Sequence, residues 1–166
     1  MKLLINDANI LIDIIKIDMV AAFLQLNFEL KTTDFVFSEL KLEQQQLFKS
    51  KKLQIIESNE VEDIEGIYKL LSTNNGVSFE DCSVWYYAKK LNGVMVTGDG
   101  GLKKKVTNSG IEVRGIIFLI EEMKRQEIIT NKQAIHKLEV LIKINPRLPK
   151  LEIEKRISLW NSENTI

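Results

Sequence analysis

A chain of 166 residues with 45% apolar and 28% charged residues has the composition of one ordinary globular domain. The 23 basic residues balance 23 acidic ones, which argues against a protein that coats nucleic acid through bulk charge. A single cysteine excludes an internal disulfide framework, and one cysteine with one histidine argues against a structural zinc site. The longest purely apolar run, residues 19–24, is far shorter than the roughly 20 residues of a membrane helix. The N-terminus is followed at once by the acidic Asp7, which is unlike a signal peptide. We therefore expect a cytoplasmic protein without a membrane segment.

Short apolar runs alternate with segments of helical spacing in the first part of the chain. The runs typical of strands cover residues 2–5, 35–37, 53–56, 94–97 and 111–113. Helices are predicted over residues 8–15, 19–26, 61–71 and 79–91 and from residue 102. Ser38 is expected to cap a further helix that starts at Glu39, and residues 98–101 are expected to form a flexible loop. Strands separated by helices pair in parallel through right-handed crossovers, which predicts a three-layer α/β/α domain with a central parallel sheet.

Beyond Gly115 the pattern becomes wholly helical. The predicted helices cover residues 116–125, 131–144 and 151–160. We expect a core of residues 1–115 and a C-terminal helical extension of the same domain, residues 116–166. The last helix carries an apolar stripe formed by Ile153, Ile157 and Trp160. This stripe could dock on its own domain or on a partner, and the sequence does not choose.

Four acidic side chains stand where predicted strands are followed by helices. They are Asp7, Glu39, Asp81 and Asp99. In a chain of alternating strands and helices these positions lie along one edge of the sheet, where open α/β folds place their sites. Carboxylates gathered there repel one another unless a multivalent cation neutralises them, and hard oxygen ligands suit Mg²⁺ or Mn²⁺. The pattern predicts metal-assisted chemistry on phosphate esters.

Each acid taken singly has a simpler interpretation, because acidic side chains commonly cap helices or occupy polar turns. Their shared position at one sheet edge favours the joint interpretation. In its predicted helix Asp81 stands in line with the apolar stripe of Val84, Ala88 and Leu91, which should face the sheet. Its neighbour Glu80 is turned away by about 100° of helical rotation. We therefore expect Asp81 to be functional and Glu80 not.

Four stretches of the sequence together resemble the PIN domain. They are MKLLINDANILID at residues 1–13, FSEL at 37–40, VSFED at 77–81 and VMVTGD at 94–99. Within that family the match is similar to the small bacterial ribonuclease toxins of the VapC type, which are paired with an antitoxin. The resemblance covers the core, residues 1–115, and implies a PIN-like fold around a parallel sheet.

The resemblance implies an endoribonuclease whose acidic pocket holds one or two Mg²⁺ or Mn²⁺ ions. The catalytic, metal-binding set would be Asp7, Glu39, Asp81 and Asp99, and the supporting polar groups would be Asn9, Ser78 and Thr97. Some relatives carry a further acid just after the last aspartate, whereas Gly100 and Gly101 follow here, so a fifth carboxylate is not expected. The resemblance also implies the toxin half of a type II toxin–antitoxin pair, with an antitoxin partner, an RNA substrate and a homodimer.

Lys103 and Lys104 follow Asp99 closely and could hold RNA phosphates, although a solvated helix face explains them equally well.

Two other functions are weighed against the ribonuclease. A catalytically silent PIN-like scaffold that binds RNA or protein is the alternative function, and an intact acid set argues against it. A receiver-type switch fits poorly, because the third strand is followed by Glu57 and Ser58 rather than by a phospho-acceptor aspartate.

Overall fold

A computed structural model describes residues 1–163 of the chain. Its strands are β1 Leu3–Asn6, β2 Glu29–Thr33, β3 Leu53–Ile56, β4 Val94–Val96 and β5 Val113–Arg114. Its helices are α1 Ala8–Lys16, α2 Val20–Phe23, α3 Asp34–Glu39, α4 Leu42–Leu47, α5 Val61–Thr73, α6 Phe79–Lys90, α7 Gly100–Asn108, α8 Ile116–Arg125, α9 Asn131–Ile144 and α10 Lys150–Glu163.

The five strands form one parallel sheet in the order β3-β2-β1-β4-β5. The chain builds outward from β1 through β2 to β3, and it then crosses back to place β4 on the other side of β1. The strand order therefore reverses between β1 and β4, and parallel α/β sheets open a crevice at the carboxyl ends of such a strand pair. In this pair Asn6 is in register with Val96, so the residues that follow the two strands emerge side by side.

Helices cover both faces of the sheet, as the sequence predicts. Leu4 and Ile5 point to opposite faces because successive side chains of a strand alternate. Leu4 belongs to the core that includes α1, α2 and α8 to α10, whereas Ile5 belongs to the core formed with α6 and α7. The three-layer α/β/α architecture with a central parallel sheet is thus confirmed.

The C-terminal helices pack on the same core as the sheet. Ile116 and Leu138 are buried beside Leu4, and they come from α8 and α9. Ile153 and Trp160 of α10 are buried in this cluster too, so the apolar stripe of the last helix docks on its own chain. Within residues 1–163 no helix combines the length and the apolar character needed to cross a membrane.

The second strand lies earlier than the sequence predicts. β2 ends at Thr33, and residues 35–37, expected to be a strand, lie in helix α3. The prediction was wrong because so short an apolar run has no period that separates a strand from a buried helical turn. The Thr33 hydroxyl accepts a hydrogen bond from Val36 N at 3.1 Å and caps α3. Ser38 therefore starts no helix, and Glu39 ends α3 instead of opening a new one.

The glycine-rich segment after β4 is more ordered than expected. Asp99 is the N-cap of α7, and its Oδ1 accepts a hydrogen bond from Leu102 N at 2.8 Å. Gly100 and Gly101 belong to the first turn of that helix. The expectation of a flexible loop over residues 98–101 was therefore wrong beyond Asp99, because the side-chain cap offsets the low helix propensity of glycine.

Helices α5 and α6 pack closely at Gly66. A Cβ atom at Gly66 would lie 2.2 Å from Cε2 of the Tyr86 ring, so glycine leaves the room that this ring occupies. The Tyr86 hydroxyl donates a hydrogen bond to Oδ1 of the buried Asp63 at 2.7 Å. A bond from Lys90 to the same carboxylate is the main reason why the pKa of Asp63 lies below its usual range. Gly66 costs about 1 kcal/mol of helix propensity and permits this packing.

We expect Gly66→Ala to lower the free energy of unfolding by about 1–3 kcal/mol, since the Tyr86 ring must move and weaken its bond to Asp63. Gly100→Ala is the matched control, because Gly100 is also helical and has nothing within 4 Å of an added Cβ. Alanine there should stabilise the protein by up to about 1 kcal/mol. Urea denaturation followed by circular dichroism measures both variants. Equal stabilities would show that the ring adapts without cost.

Candidate active site

The carboxylate of Asp7 lies at the carboxyl end of β1, between β1 and β4. It is 2% exposed and caps helix α1, its Oδ1 accepting a hydrogen bond from Ala8 N at 2.7 Å. Its Oδ2 accepts two more bonds, from the Thr97 hydroxyl at 2.8 Å and from Asn9 Nδ2 at 2.9 Å. The backbone N–H of Asp7 donates to Val96 O at 2.9 Å, which ties the ends of the two strands together.

A short chain of hydrogen bonds joins Asp7 to Asp99. The Thr97 hydroxyl donates to Asp7 and accepts from Asp99 N at 3.2 Å. The side-chain oxygen of Asn9 accepts from Gly98 N at 2.8 Å. A Cβ at Gly98 would approach that oxygen to 3.1 Å, so a larger residue would crowd the contact. The structure thus brings together Asp7, Asn9, Thr97 and Asp99, four of the residues singled out in the sequence.

Burial and charge act on Asp7 in the same direction. Removal from water and, after it, the nearby Asp81 carboxylate raise the pKa of Asp7 from 3.8 to about 6. The hydrogen bonds from Thr97, Ala8 N and Asn9 oppose this rise and do not cancel it. Asp7 therefore carries a charge near neutral pH that its surroundings do not neutralise.

Asp81 faces this cluster from the first turn of helix α6. It forms a capping box with Ser78, in which Ser78 Oγ accepts from Asp81 N at 3.0 Å and Asp81 Oδ2 accepts from Ser78 N at 3.3 Å. This box holds the side chain near Asp7, whose pKa it raises. Ser78 therefore acts on Asp81, and among the described residues it forms no side-chain hydrogen bond with Asp7, Thr97 or Asp99.

Glu39 reaches the cluster from the end of α3 instead of from the start of a helix. Partial removal from water and then the charges of Glu80, Asp7 and Asp81 raise its pKa. Glu80 is the largest of these charge effects, so Glu80 lies near Glu39, although helical rotation turns it away from Asp81. Glu39 and Glu80 are distant in the chain, so their proximity results from tertiary packing. The only sign of it in the sequence is that the VSFED motif at residues 77–81 contains Glu80.

A second set of polar groups at the same edge escaped the sequence analysis. The Thr32 hydroxyl donates to Asn6 O at 2.7 Å, and the hydroxyls of Thr33 and Ser83 share a hydrogen bond of 2.7 Å. Both threonines and Ser83 are fully buried. These bonds fix α3 and α6 against the strand ends and so fix the positions of Glu39 and Asp81. The pair of threonines before a helix is an N-cap signal that could have marked the end of β2.

The acid edge, defined as Asp7, Glu39, Glu80, Asp81 and Asp99, has no ion-pair partner among Lys and Arg within residues 1–163. Over the same residues no group of three or more Asp, Glu, His or Cys side chains is arranged so that it could hold a metal ion. A closed cage of protein ligands is therefore not formed. The donor chemistry nevertheless fits a hard divalent cation, because Mg²⁺ is commonly bound through one or two carboxylates while it keeps several waters. The Thr97 hydroxyl, which donates to the Asp7 carboxylate and accepts from Asp99 N, holds these two aspartates at neighbouring positions of the edge.

The two candidate RNA-binding lysines differ in their surroundings. Lys103 is exposed on α7 and lines a groove whose lining includes Thr97 and Asp99. Lys104 is exposed next to it and lies outside the groove lining. The structure thus places Lys103, and not Lys104, along a surface that leads to the acid edge.

Open α/β sheets bind their ligands at such a reversal of strand order, and carboxylates placed there suit chemistry assisted by a bound metal ion. A family model described as the PIN domain matches residues 3–162. The chain therefore belongs to the PIN domain family, and the match includes the three C-terminal helices as well as the core. PIN domains are generally nucleases, so membership indicates a function of this type. No functionally curated protein matches the chain.

The raised pKa of Asp7 predicts a pH dependence of stability in the absence of metal. Because folding raises this pKa from 3.8 to about 6, the contribution of Asp7 is fully present below about pH 4 and is lost as the pH rises through about 6. The loss should reach about 3 kcal/mol at neutral pH. Asp7→Asn, measured by urea denaturation in EDTA, should lack this component.

Every other titrating group is common to the wild type and the variant, so the difference between their pH profiles reports Asp7 together with its effect on Glu39. The wild type should lose stability relative to Asp7→Asn between about pH 4 and about pH 7. Parallel profiles would show that folding does not raise the pKa of Asp7.

Proposed function

We propose that the protein is a Mg²⁺- or Mn²⁺-dependent endoribonuclease that hydrolyses RNA phosphodiester bonds. One observation carries the proposal: the acid edge gathers five carboxylates, one of them buried, and within residues 1–163 none has a cationic side chain as partner. Leaving buried charge unpaired costs several kcal/mol, so its retention favours a role for an external cation. Membership of a family of nucleases supports the same function.

Asp7 and Asp99 are the residues proposed to hold the cation, with Asp81 and Glu39 completing its negative surroundings. The chemistry that a bound divalent cation supplies is Lewis acidity toward a phosphoryl oxygen and a lowered pKa for water. Thr97 and Asn9 hold the Asp7 carboxylate in one orientation, and Thr97 positions the N–H of Asp99 as well. Ser78 holds Asp81. With its only histidine on α9, the chain offers no histidine to the acid edge.

RNA cleavage tests this assignment. In Mn²⁺ the wild type should cut a single-stranded RNA, and EDTA should abolish the cutting. Asp81→Asn should lower the rate by about a hundredfold or more, the scale on which one electrostatic group in an active site contributes. Glu80→Gln should lower it by about tenfold at most, because the charge of Glu80 acts on Glu39, whereas the charge of Asp81 acts on the buried Asp7.

Glu65→Gln is the control for loss of one negative charge, since Glu65 is exposed on α5. Thermal melts establish that each variant is folded, and the amide at position 81 can still accept the bond from Ser78 N. Equal losses for Asp81→Asn and Glu80→Gln would remove the distinction between the two acids. Wild-type protein that leaves RNA intact in Mn²⁺ would favour the silent scaffold.

We further propose that the protein is the toxin of a type II toxin–antitoxin pair in the cytoplasm, restrained by a protein antitoxin. The bare acid edge supports this, because a cationic side chain from a partner would relieve the same carboxylate repulsion as a metal ion. The buried, free thiol of Cys82 fits a reducing compartment. A homodimer is the assembly that the resemblance implies, and sedimentation equilibrium measures it.

Expression of the chain alone in a bacterial host should then stop growth, and Asp7→Asn should relieve the arrest. The variant must accumulate to at least the wild-type level for the comparison to count. Glu65→Gln should arrest growth as the wild type does. High accumulation of active wild-type ribonuclease without any growth defect would contradict the toxin assignment and leave the enzyme assignment standing.

A further inference from the structure

A groove leads away from the acid edge across the carboxyl ends of β4 and β5. It has a volume of about 430 Å³. Its lining includes Thr97 and Asp99 of the proposed active site, Lys103 of α7, and Arg147 in the turn between α9 and α10. The groove is therefore continuous with the proposed active site and is closed on one side by the C-terminal helices.

The cations of this groove fall into two classes. Arg156 is held by Glu121 at 2.6 Å and by Glu152 at 2.9 Å, and Arg114 pairs outside the groove with Glu112 at 2.8 Å. Lys103 and Arg147 also line it, and within residues 1–163 neither forms an ion pair. Both are exposed.

Apart from Asp99, the groove lining contains two carboxylates and four cationic side chains, namely Lys103, Arg114, Arg147 and Arg156. Both carboxylates, those of Glu121 and Glu152, are already bonded to Arg156. The two unpaired cations, Lys103 and Arg147, are therefore the charges left for an anionic ligand.

The backbone that carries Arg147 is anchored to the core. Asn145 Nδ2 donates to Oδ2 of Asp13 at 2.9 Å, and Asp13, on α1, is only 7% exposed. Asn145 Oδ1 in turn accepts from Arg147 N at 3.2 Å. This tie fixes the turn and lowers the entropy lost when the side chain of Arg147 binds a ligand.

The groove suits a phosphate backbone better than a stacked base. Phe118 lines it, but Phe28 stacks on this ring with centroids 6.0 Å apart, and Arg114 lies 5.3 Å from the ring centroid. The ring faces are thus occupied, and the groove offers the ligand positive charge rather than an aromatic platform.

We propose that this groove holds the phosphodiester backbone of single-stranded RNA next to the scissile bond, with Lys103 and Arg147 each contacting a phosphate. The inference rests on the proposed function, because it takes the acid edge as the place of cleavage. A strand in the groove meets Asp99 and Thr97, so binding there aligns the chain with the carboxylates. Contacts of this kind are independent of base sequence.

Fluorescence anisotropy of a labelled single-stranded RNA in EDTA tests the groove without cleavage. The double variant Lys103→Glu/Arg147→Glu should bind at least about tenfold more weakly than the wild type. The slope of log affinity against log salt should fall by about 1.4, the value for two lost phosphate contacts on a single strand. The control Lys69→Glu/Lys132→Glu makes the same charge change at two exposed lysines outside the groove, neither of which forms an ion pair within residues 1–163.

An unchanged slope in the groove variant, or an equal loss in the control, would overturn the inference. Tighter binding of a DNA strand of the same sequence would overturn the assignment to RNA, and so would failure of the wild type to bind RNA at low salt. Binding through the groove without cleavage in Mn²⁺ would support the groove and contradict the proposed function. If the wild type cleaves RNA and the groove variant binds RNA as tightly as the wild type does, the proposed function would be supported and the groove contradicted.

Discussion

The carboxylate of Asp7 is held out of water at the one place where the strand order of the sheet reverses, and the rest of the site is arranged around it. Three hydrogen-bond donors hold it, and none of them carries a positive charge. The donors fix its orientation while its pKa remains raised to about 6. Binding of the proposed cation would offset this unpaired buried charge, and it would stabilise the folded protein because only the folded chain forms the site.

The charge of the chain is segregated although its sum is zero. Within residues 1–163 the lysine and arginine side chains that form ion pairs do so with carboxylates outside the acid edge, for example Glu112 and Glu122. The acid edge is left bare, and the unpaired cations Lys103 and Arg147 stand along the groove beside it. Such a separation gives a local field that net charge does not reveal, because fields near a surface depend on how charges are distributed.

The C-terminal helices pack in the core and also contribute residues to the lining of the groove. Ile153 and Trp160 bury the last helix against the domain, and the bond between Asn145 and Asp13 holds the turn before it. Arg156, bonded to Glu121 of α8, joins α10 to its neighbour. The same packing that stabilises these helices therefore forms one wall of the groove that leads to Asp99.

The sequence by itself determined the layer architecture, the parallel sheet and the local positions of Asp7, Asp81 and Asp99, because apolar runs, caps and turn residues act over a few neighbours. It misplaced β2, since three apolar residues are compatible with a strand or with a buried turn of helix. Only the tertiary structure decided that Glu80 lies near Glu39 and that the turn before α10 reaches the groove. These contacts join segments that are distant in the chain, and their geometry depends on how whole helices pack, which local patterns do not encode.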